Sequence, residues 1–430
     1  MTDNVIRLPR PRLLRTGTDP LAFFVRVGRN DHKEILELIS AGEHGPFGFI
    51  IEAHNADRHK DLITEARKRD FDVILDPKTQ QLAMPGSFTE SLAVLPWART
   101  SQHQSIADFV GGAAETRIAA IVEFARHHNF TQILGPTHLL SGPNDPWLRR
   151  DIDLMSKTAR EIERSGGNLG LIYSLAVPIA VFRDDSMRDA LIAAIGDAVC
   201  DSLWLKVENF GDDATGEKAA AYIQGCQAFH PLGLPLVADH VGGLPGLGVL
   251  AFGAVGGIAH GVTMNQSFRA SNWRRPYKAS SGGIATRIYL PQLDMLVSRA
   301  VAEEFISSSQ RIRARHVCKD SHCCGRGMAD MLDRPARHAI YQRSREVESL
   351  SSAPASVRTQ NYLDSVRRVS DEVARAAAYD KLGSDLRRIL HQKQKNIGHF
   401  RNAMAHLAKK VPDTLAIPPL RFGAASGTGR

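Results

Sequence analysis

Residues 234–262 read LPLVADHVGGLPGLGVLAFGAVGGIAHGV. Two short apolar runs, LPLVADH (234–240) and GGIAHGV (256–262), flank a glycine-rich turn and a second apolar segment, the pattern of two parallel strands joined by a crossover. Working back toward the start of the chain, the same unit recurs. The other strand candidates are LAFFVRV (21–27), FGFIIEA (47–53), FDVILD (71–76), QILGPTH (132–138), LGLIYSLAV (169–177) and SLWLKVE (202–208). Between them lie amphipathic segments such as DRHKDLITEARKRD, AAETRIAAIVEFARHHN and DPWLRRDIDLMSKTAREIERSG, apolar on one helical face and charged on the other. Gly42, Asn129 and Gly166 stand where helices should end. Eight strand–helix rounds over about 250 residues predict a closed (β/α)8 TIM barrel. An open doubly wound sheet would call for G-x-G-x-x-G after its first strand; RVGRNDHKE stands there instead.

The remaining sequence divides around that barrel. The expected parts are an N-terminal extension (1–20), the barrel (21–283), a helix with a Cys/His-containing segment (284–345), a C-terminal helical bundle region (346–415) and a disordered tail (416–430). At 43% hydrophobic and 23% charged residues, with 35 Gly and 21 Pro, the chain is neither collagenous, coiled-coil nor disordered. No apolar run reaches the ~20 residues of a membrane span, and the first 17 residues carry four Arg without the apolar core of a signal peptide. A cytoplasmic location with no membrane partner is the expectation. The net charge of +8 conceals an asymmetry: Lys and Arg against Asp and Glu number 26 to 32 in residues 1–270 and 28 to 14 in residues 271–430. The basic second part points to an anionic macromolecule, a nucleic acid, as partner.

In such a barrel the chemistry gathers at the carboxyl ends of the strands. Polar residues there include Arg26, Glu52 with His54, Asp76, Thr137 with His138, Tyr173 with Ser174, Lys206 with Glu208, Asp239 with His240, and His260. Alternation along the sixth strand directs Trp204, Lys206 and Glu208 inward; along the seventh it directs Val237 and Asp239, and along the third Ile74 and Asp76. Two carboxylates and a lysine are thus expected at one opening. Gly242 and Gly243, in the loop after the seventh strand, can let backbone N–H groups approach a base or a phosphate-bearing ligand, or can serve close packing. Glu52, His138, His240 and His260 are further ligand-binding candidates. Two loops are long. Residues 77–105 form one, with Trp97; the other, TMNQSFRASNWRRPYKASSGG, interleaves Phe268, Trp273 and Tyr277 with Arg269, Arg274, Arg275 and Lys278, a mixture that stacks bases and neutralises phosphates. Arg274 and Arg275 are its ligand-binding candidates.

Cys318, Cys323, Cys324, His316, His322 and His338 crowd into RARHVCKDSHCCGRGMADMLDRPARHAIYQR. Clustered cysteines in a cytosolic chain read as a metal site before they read as disulfides. The expected ligands of a structural zinc are Cys318, Cys323, Cys324 and His338, with His322 as substitute if adjacent cysteines cannot both turn inward. Helices are expected over 335–352, 356–379 and 382–408. In the last, Arg401 and His406 match the R-x4-H spacing of some helical ribonucleases.

A barrel with opposed carboxylates, glycine-rich loops, a Cys/His cluster just after the eighth strand and a basic helical tail resembles the tRNA-guanine transglycosylase superfamily. The resemblance implies exchange of a base in a nucleic acid, with Asp239 attacking the ribose carbon, Asp76 as general acid/base and a structural zinc. Two alternatives stand beside it: a Schiff-base lyase or aldolase with Lys206 as nucleophile and Glu208 managing protons, and a non-catalytic, zinc-stapled nucleic-acid-binding protein.

Overall fold

The computed structural model describes residues 21–42, 45–86, 90–99, 102–274 and 287–410. The expected N-terminal extension, the disordered tail and the loop residues Arg275, Tyr277 and Lys278 lie outside these.

The eight apolar runs become eight strands: β1 (Ala22–Arg26), β2 (Gly48–Glu52), β3 (Asp72–Asp76), β4 (Gln132–Leu134), β5 (Gly170–Pro178), β6 (Ser202–Glu208), β7 (Leu236–Asp239) and β8 (Gly257–Gly261). Each pairs in parallel with the next, and β8 pairs with β1, so the sheet closes. The barrel is therefore complete and presents no edge. Strand alternation sends one residue set inward. Phe24, Ile50, Ile74, Leu134, Ile172, Trp204, Val237 and Ala259 fill the barrel as one buried apolar layer. One inward step further toward the carboxyl ends, the same alternation delivers Arg26, Glu52, Asp76, Lys206 and Asp239, with Glu52 in register with Asp76 and Lys206 with Asp239. The apolar layer is the floor on which the polar site stands.

The outward set, with Val25, Phe49, Ile51, Leu75, Leu205 and Ala238, packs against helices. The first seven crossovers carry α1 (His32–Ser40), α2 (Lys60–Lys68), α3 (Gly111–His127), α4 (Pro146–Arg164), α5 (Asp185–Ile195), α6 (Gly216–Gln227) and α7 (Gly243–Ala251). Their ends follow from local chemistry. Asp145 caps α4 by accepting from Trp147 N, with Pro146 at the first helical position. Asn129 and Gly166 leave α3 and α4 with φ of 59° and 111°, as a left-handed helix exit requires.

The eighth helical place is filled late in the chain. A hairpin, β9 (Arg287–Leu290) with β10 (Met295–Ser298), and the Cys/His segment intervene first. Then α8 (Pro335–Ser352) packs on β1, α1 and α7. Glu34 of α1 receives the Ala336 and Arg337 N–H groups at 2.8 and 3.0 Å, capping α8 from a distant part of the chain. The helix that fills the eighth place thus follows the hairpin and the Cys/His segment in the chain. Beyond α8, α9 (Ala355–Ala377) packs on α7, and α10 (Ser384–Lys410) packs on α9 and α6. No described helix is long and apolar enough to cross a membrane.

Candidate functional site

Arg26 organises the mouth. Its Nε and Nη2 donate to the two oxygens of Asp239 at 2.6 and 2.5 Å, and its Nη1 donates to Asp76 Oδ2 at 2.7 Å. One guanidinium thus holds the carboxylates of β3 and β7 from β1, a planar fork matched to a bidentate partner. Burial opposes ionisation of Asp76, but the Lys78, Arg26 and Lys206 cations and the bond from Arg26 hold it well below the usual carboxylate range. Asp239 is likewise opposed by burial yet kept low by Arg26, through its charge and its hydrogen bond, and by Lys206. Both stay ionised near neutrality.

Lys206 differs from the other cations. Its Nζ donates to Gln80 Oε1 at 2.8 Å and stands 3.6 Å from Asp239 Oδ2, over the Phe268 ring at 5.6 Å. Burial pushes its amine down to about 8; Asp239 and Asp76 oppose this while Arg26 and Lys78 add to it. Lys78, by contrast, donates to Glu52 Oε1 at 2.8 Å, and although burial disfavours its charge, Glu52 and Asp76 raise it.

The loop after β3 supplies residues that strand ends alone do not reveal. Lys78 takes φ 63°, in the left-handed region, and its N–H donates to Asp76 Oδ1 at 2.9 Å. That turn folds the short helix Thr79–Leu82 back over the opening and places Lys78 and Gln80 in it. Asn209 and His240, just after β6 and β7, also have φ near 60° (63° and 62°). Three of the seven described non-glycine residues with positive φ thus stand just beyond strand ends of the barrel. Trp97 is buried against Phe124 with its indole N–H on Pro77 O, so it pins this loop to the barrel wall.

Several expected ligand-binding residues join the mouth and others leave it. Glu52 is there, paired with Lys78. Glu208 reaches it from β6, with Arg274 Nη2 at 3.6 Å. His240 is held well below its ordinary value by burial and by Arg26, and its ring lies 5.6 Å from Phe268. Phe268 and Trp273 meet edge to face at 5.1 Å, and Lys78 lies over Trp273, so the aromatic loop roofs the opening. Thr137 turns in and donates to Ser174 O. His138 turns out: it stacks on Trp147 at 3.6 Å and its Nδ1 lies 2.6 Å from Asp151. His260 also points away, packed on Phe23 beside Arg343; burial, with Arg343, lowers it to about 3. Arg275 lies outside the described residues.

Gly242 and Gly243 are closely approached by other parts of the chain. A Cβ on Gly242 would stand 2.4 Å from Gln266 Oε1, and Gly243 has φ +61° against Asp212 and Asp294. At the start of α7, the Leu244 N–H donates to Asp294 Oδ2 at 3.2 Å. The position expected for a ligand phosphate is thus taken by a carboxylate of the chain itself, which Arg343 and Lys393 also hold.

Cys318, Cys323, Cys324 and His338 converge, all buried, with ligand atoms within 4.8 Å of one another. Cys323 Sγ lies 3.6 Å from Cys324 Sγ, and His338 Nδ1 lies 3.3 and 3.5 Å from the two sulfurs. A tetrahedral ion with bonds of about 2.3 Å to sulfur spaces its ligands by roughly 3.5–3.8 Å, so the donor set fits a metal. The opposite ring nitrogen, His338 Nε2, is 3.0 Å from Tyr289 O, the outer contact that orients a ligating imidazole. Gln342 Nε2 stands 3.5 Å from Cys318 Sγ. Both adjacent cysteines turn inward, so His322, which is exposed, takes no place.

On α10, His406 and His399 line a cleft of about 680 Å³ against the start of α6, and Arg401 does not line it. Compared with known proteins, the chain matches no family model and no curated sequence.

Proposed function

We propose that the protein is a barrel enzyme whose Lys206 forms an imine with a carbonyl substrate. The observation that carries this reading is a buried amine that donates to the neutral Gln80 at 2.8 Å and stands 3.6 Å from Asp239; burial pushes it down to about 8. Roughly one such amine in ten is unprotonated at pH 7, against far fewer for an ordinary lysine. The free amine attacks the carbonyl carbon; the carbinolamine loses water and leaves a protonated imine. That cation accepts the electron pair of an adjacent C–C or C–H bond as it breaks, and hydrolysis later returns the amine. Asp239, at 3.6 Å, stabilises the positive imine, while Arg26 fixes Asp239 and Asp76 as permanent anions. Glu208, two residues along the same strand, is the candidate to move protons at the substrate. Reductive trapping with small aldehydes and ketones tests the reading. An adduct mapped to Lys206 supports it; adducts confined to surface lysines overturn it.

A second reading is base exchange in a nucleic acid. It is favoured by the meeting of Asp76 and Asp239 on one guanidinium beneath Phe268, Trp273 and Arg274, groups suited to stacking and phosphate contact. It requires one ionised and one protonated group; both aspartates are held low, so the proton carrier in this reading is Lys206 rather than Asp76. Asp239→Asn with base exchange intact would remove it. The basic second part of the chain is the proposed nucleic-acid contact. In either reading the proposed occupant of the Cys/His site is zinc, with a structural role, because four ligands leave it no open position.

A further inference from the structure

We propose that Gln80 is the positioning residue for Lys206, holding the amine by a neutral acceptor with its lone pair left free for an electrophile. This rests on the assignment of Lys206 as the nucleophile.

The hydrogen bonds settle which way the amide faces. Gln80 Nε2 lies 2.9 Å from Ser174 O and 3.1 Å from Thr137 Oγ1. A backbone carbonyl only accepts, so the amide nitrogen must face it. The Thr137 hydroxyl gives its own proton to Ser174 O at 2.7 Å, which leaves its oxygen to accept from Gln80. Gln80 Oε1 is therefore turned toward Lys206 Nζ, 2.8 Å away.

The consequence for Lys206 is geometric. A neutral primary amine has two N–H bonds and one lone pair. One N–H is given to Gln80 Oε1; the other side faces Asp239 Oδ2 at 3.6 Å, whose two oxygens already accept from Arg26. The lone pair then projects away from both acceptors. A carboxylate at the Gln80 position would bind the ammonium form instead and hide that pair, whereas an amide binds either form.

Gln80 is itself well fixed. It is buried, and its short helix is anchored by the Thr79 hydroxyl on Thr137 O at 3.0 Å and by the Leu82 N–H on Lys78 O at 2.8 Å.

The test is the titration midpoint of Lys206, read by 13C NMR on protein labelled at lysine Cε, the signal assigned by its loss in Lys206→Arg. Gln80→Glu should raise the midpoint by more than about one unit, cutting the free amine at pH 7 by roughly tenfold, and should slow trapping of an aldehyde at Lys206 in proportion. Gln80→Leu, which removes the acceptor without adding charge, should move the midpoint down and loosen the dependence of trapping on pH. If both variants, or Gln80→Leu alone where Gln80→Glu fails to fold, leave the midpoint and trapping as in the parent chain, the role of Gln80 is wrong and that of Lys206 stands. A parent midpoint near that of an ordinary lysine would instead remove the nucleophile itself.

Discussion

Lys206 and Asp239 face each other from adjacent strands with Nζ 3.6 Å from Oδ2, longer than the 2.5 Å at which the same oxygen accepts from Arg26. Arg26 has already claimed both oxygens of the carboxylate. The lysine is left with an anion near enough to steady a positive intermediate and too committed to hold its proton tightly. That division of labour is what the proposed imine chemistry asks of Lys206, and it differs from a simple ion pair.

Removing Arg26 should be severe. Arg26→Met leaves two buried carboxylates without their shared cation, and a broken buried pair costs about 3–5 kcal/mol. Urea denaturation should show a loss of that order. A loss below about 1 kcal/mol would mean that the bridge is not formed in solution.

Lys206 should cost the fold stability. Its folded value lies below its unfolded one, so the unfolded chain binds more protons between about pH 8 and 10.5, and stability contributed by this residue rises with pH across that window. Lys206→Met should therefore stabilise the protein by about 1–3 kcal/mol at pH 7. The gain should shrink above pH 8. An equal gain at pH 7 and pH 10 would contradict the shift.

At the acid end the carboxylates stabilise where Lys206 destabilises, and stability again rises with pH. Asp76 and Asp239 are held below their unfolded value, so their contribution is full above about pH 4 and is lost as pH falls through the folded values. His59 and His260, lowered by burial to about 4 and about 3, already bind protons preferentially in the unfolded chain below about pH 6.5. Thermal melts should lose stability from about pH 6 downward. A melting temperature flat to pH 4 would refute these environments.

Much of this was legible in the chain, and the parts that were not share a physical cause. Strand alternation fixes which side of the sheet a residue faces, so Trp204, Lys206 and Asp239 could be placed inside from spacing alone. The same parity puts Ala259 inside and His260 out, a reading open to anyone who counts along GGIAHGV. It fails on QILGPTH, because β4 ends at Leu134 and the chain bends through Pro136, so Thr137 enters and His138 leaves. Lys78 and Gln80 carried no periodic signal: they reach the mouth through a left-handed turn and a short helix within a long loop. Gly242 and Gly243 could not be assigned between ligand approach and packing, because Gln266 and Asp294 become their neighbours only through the fold.

The Cys/His cluster should hold one metal ion per chain. Purified protein should contain close to one equivalent of zinc, and Cys323→Ser or Cys324→Ser should lower both the metal content and the melting temperature. The effect should extend to the hairpin, since His338 reaches Tyr289 O at 3.0 Å; faster amide exchange in Arg287–Ser298 would report it. Full stability of the chelated, metal-free chain would contradict a structural site.

The most direct measurement is the mass and location of the adduct formed when the protein is treated with a small aldehyde and cyanoborohydride across a pH series. A single adduct on Lys206, forming faster as pH rises to about 8 and levelling above it, absent from Lys206→Arg, is the predicted result. Labelling of Lys206 no faster than exposed lysines, with a midpoint above pH 10, would contradict it.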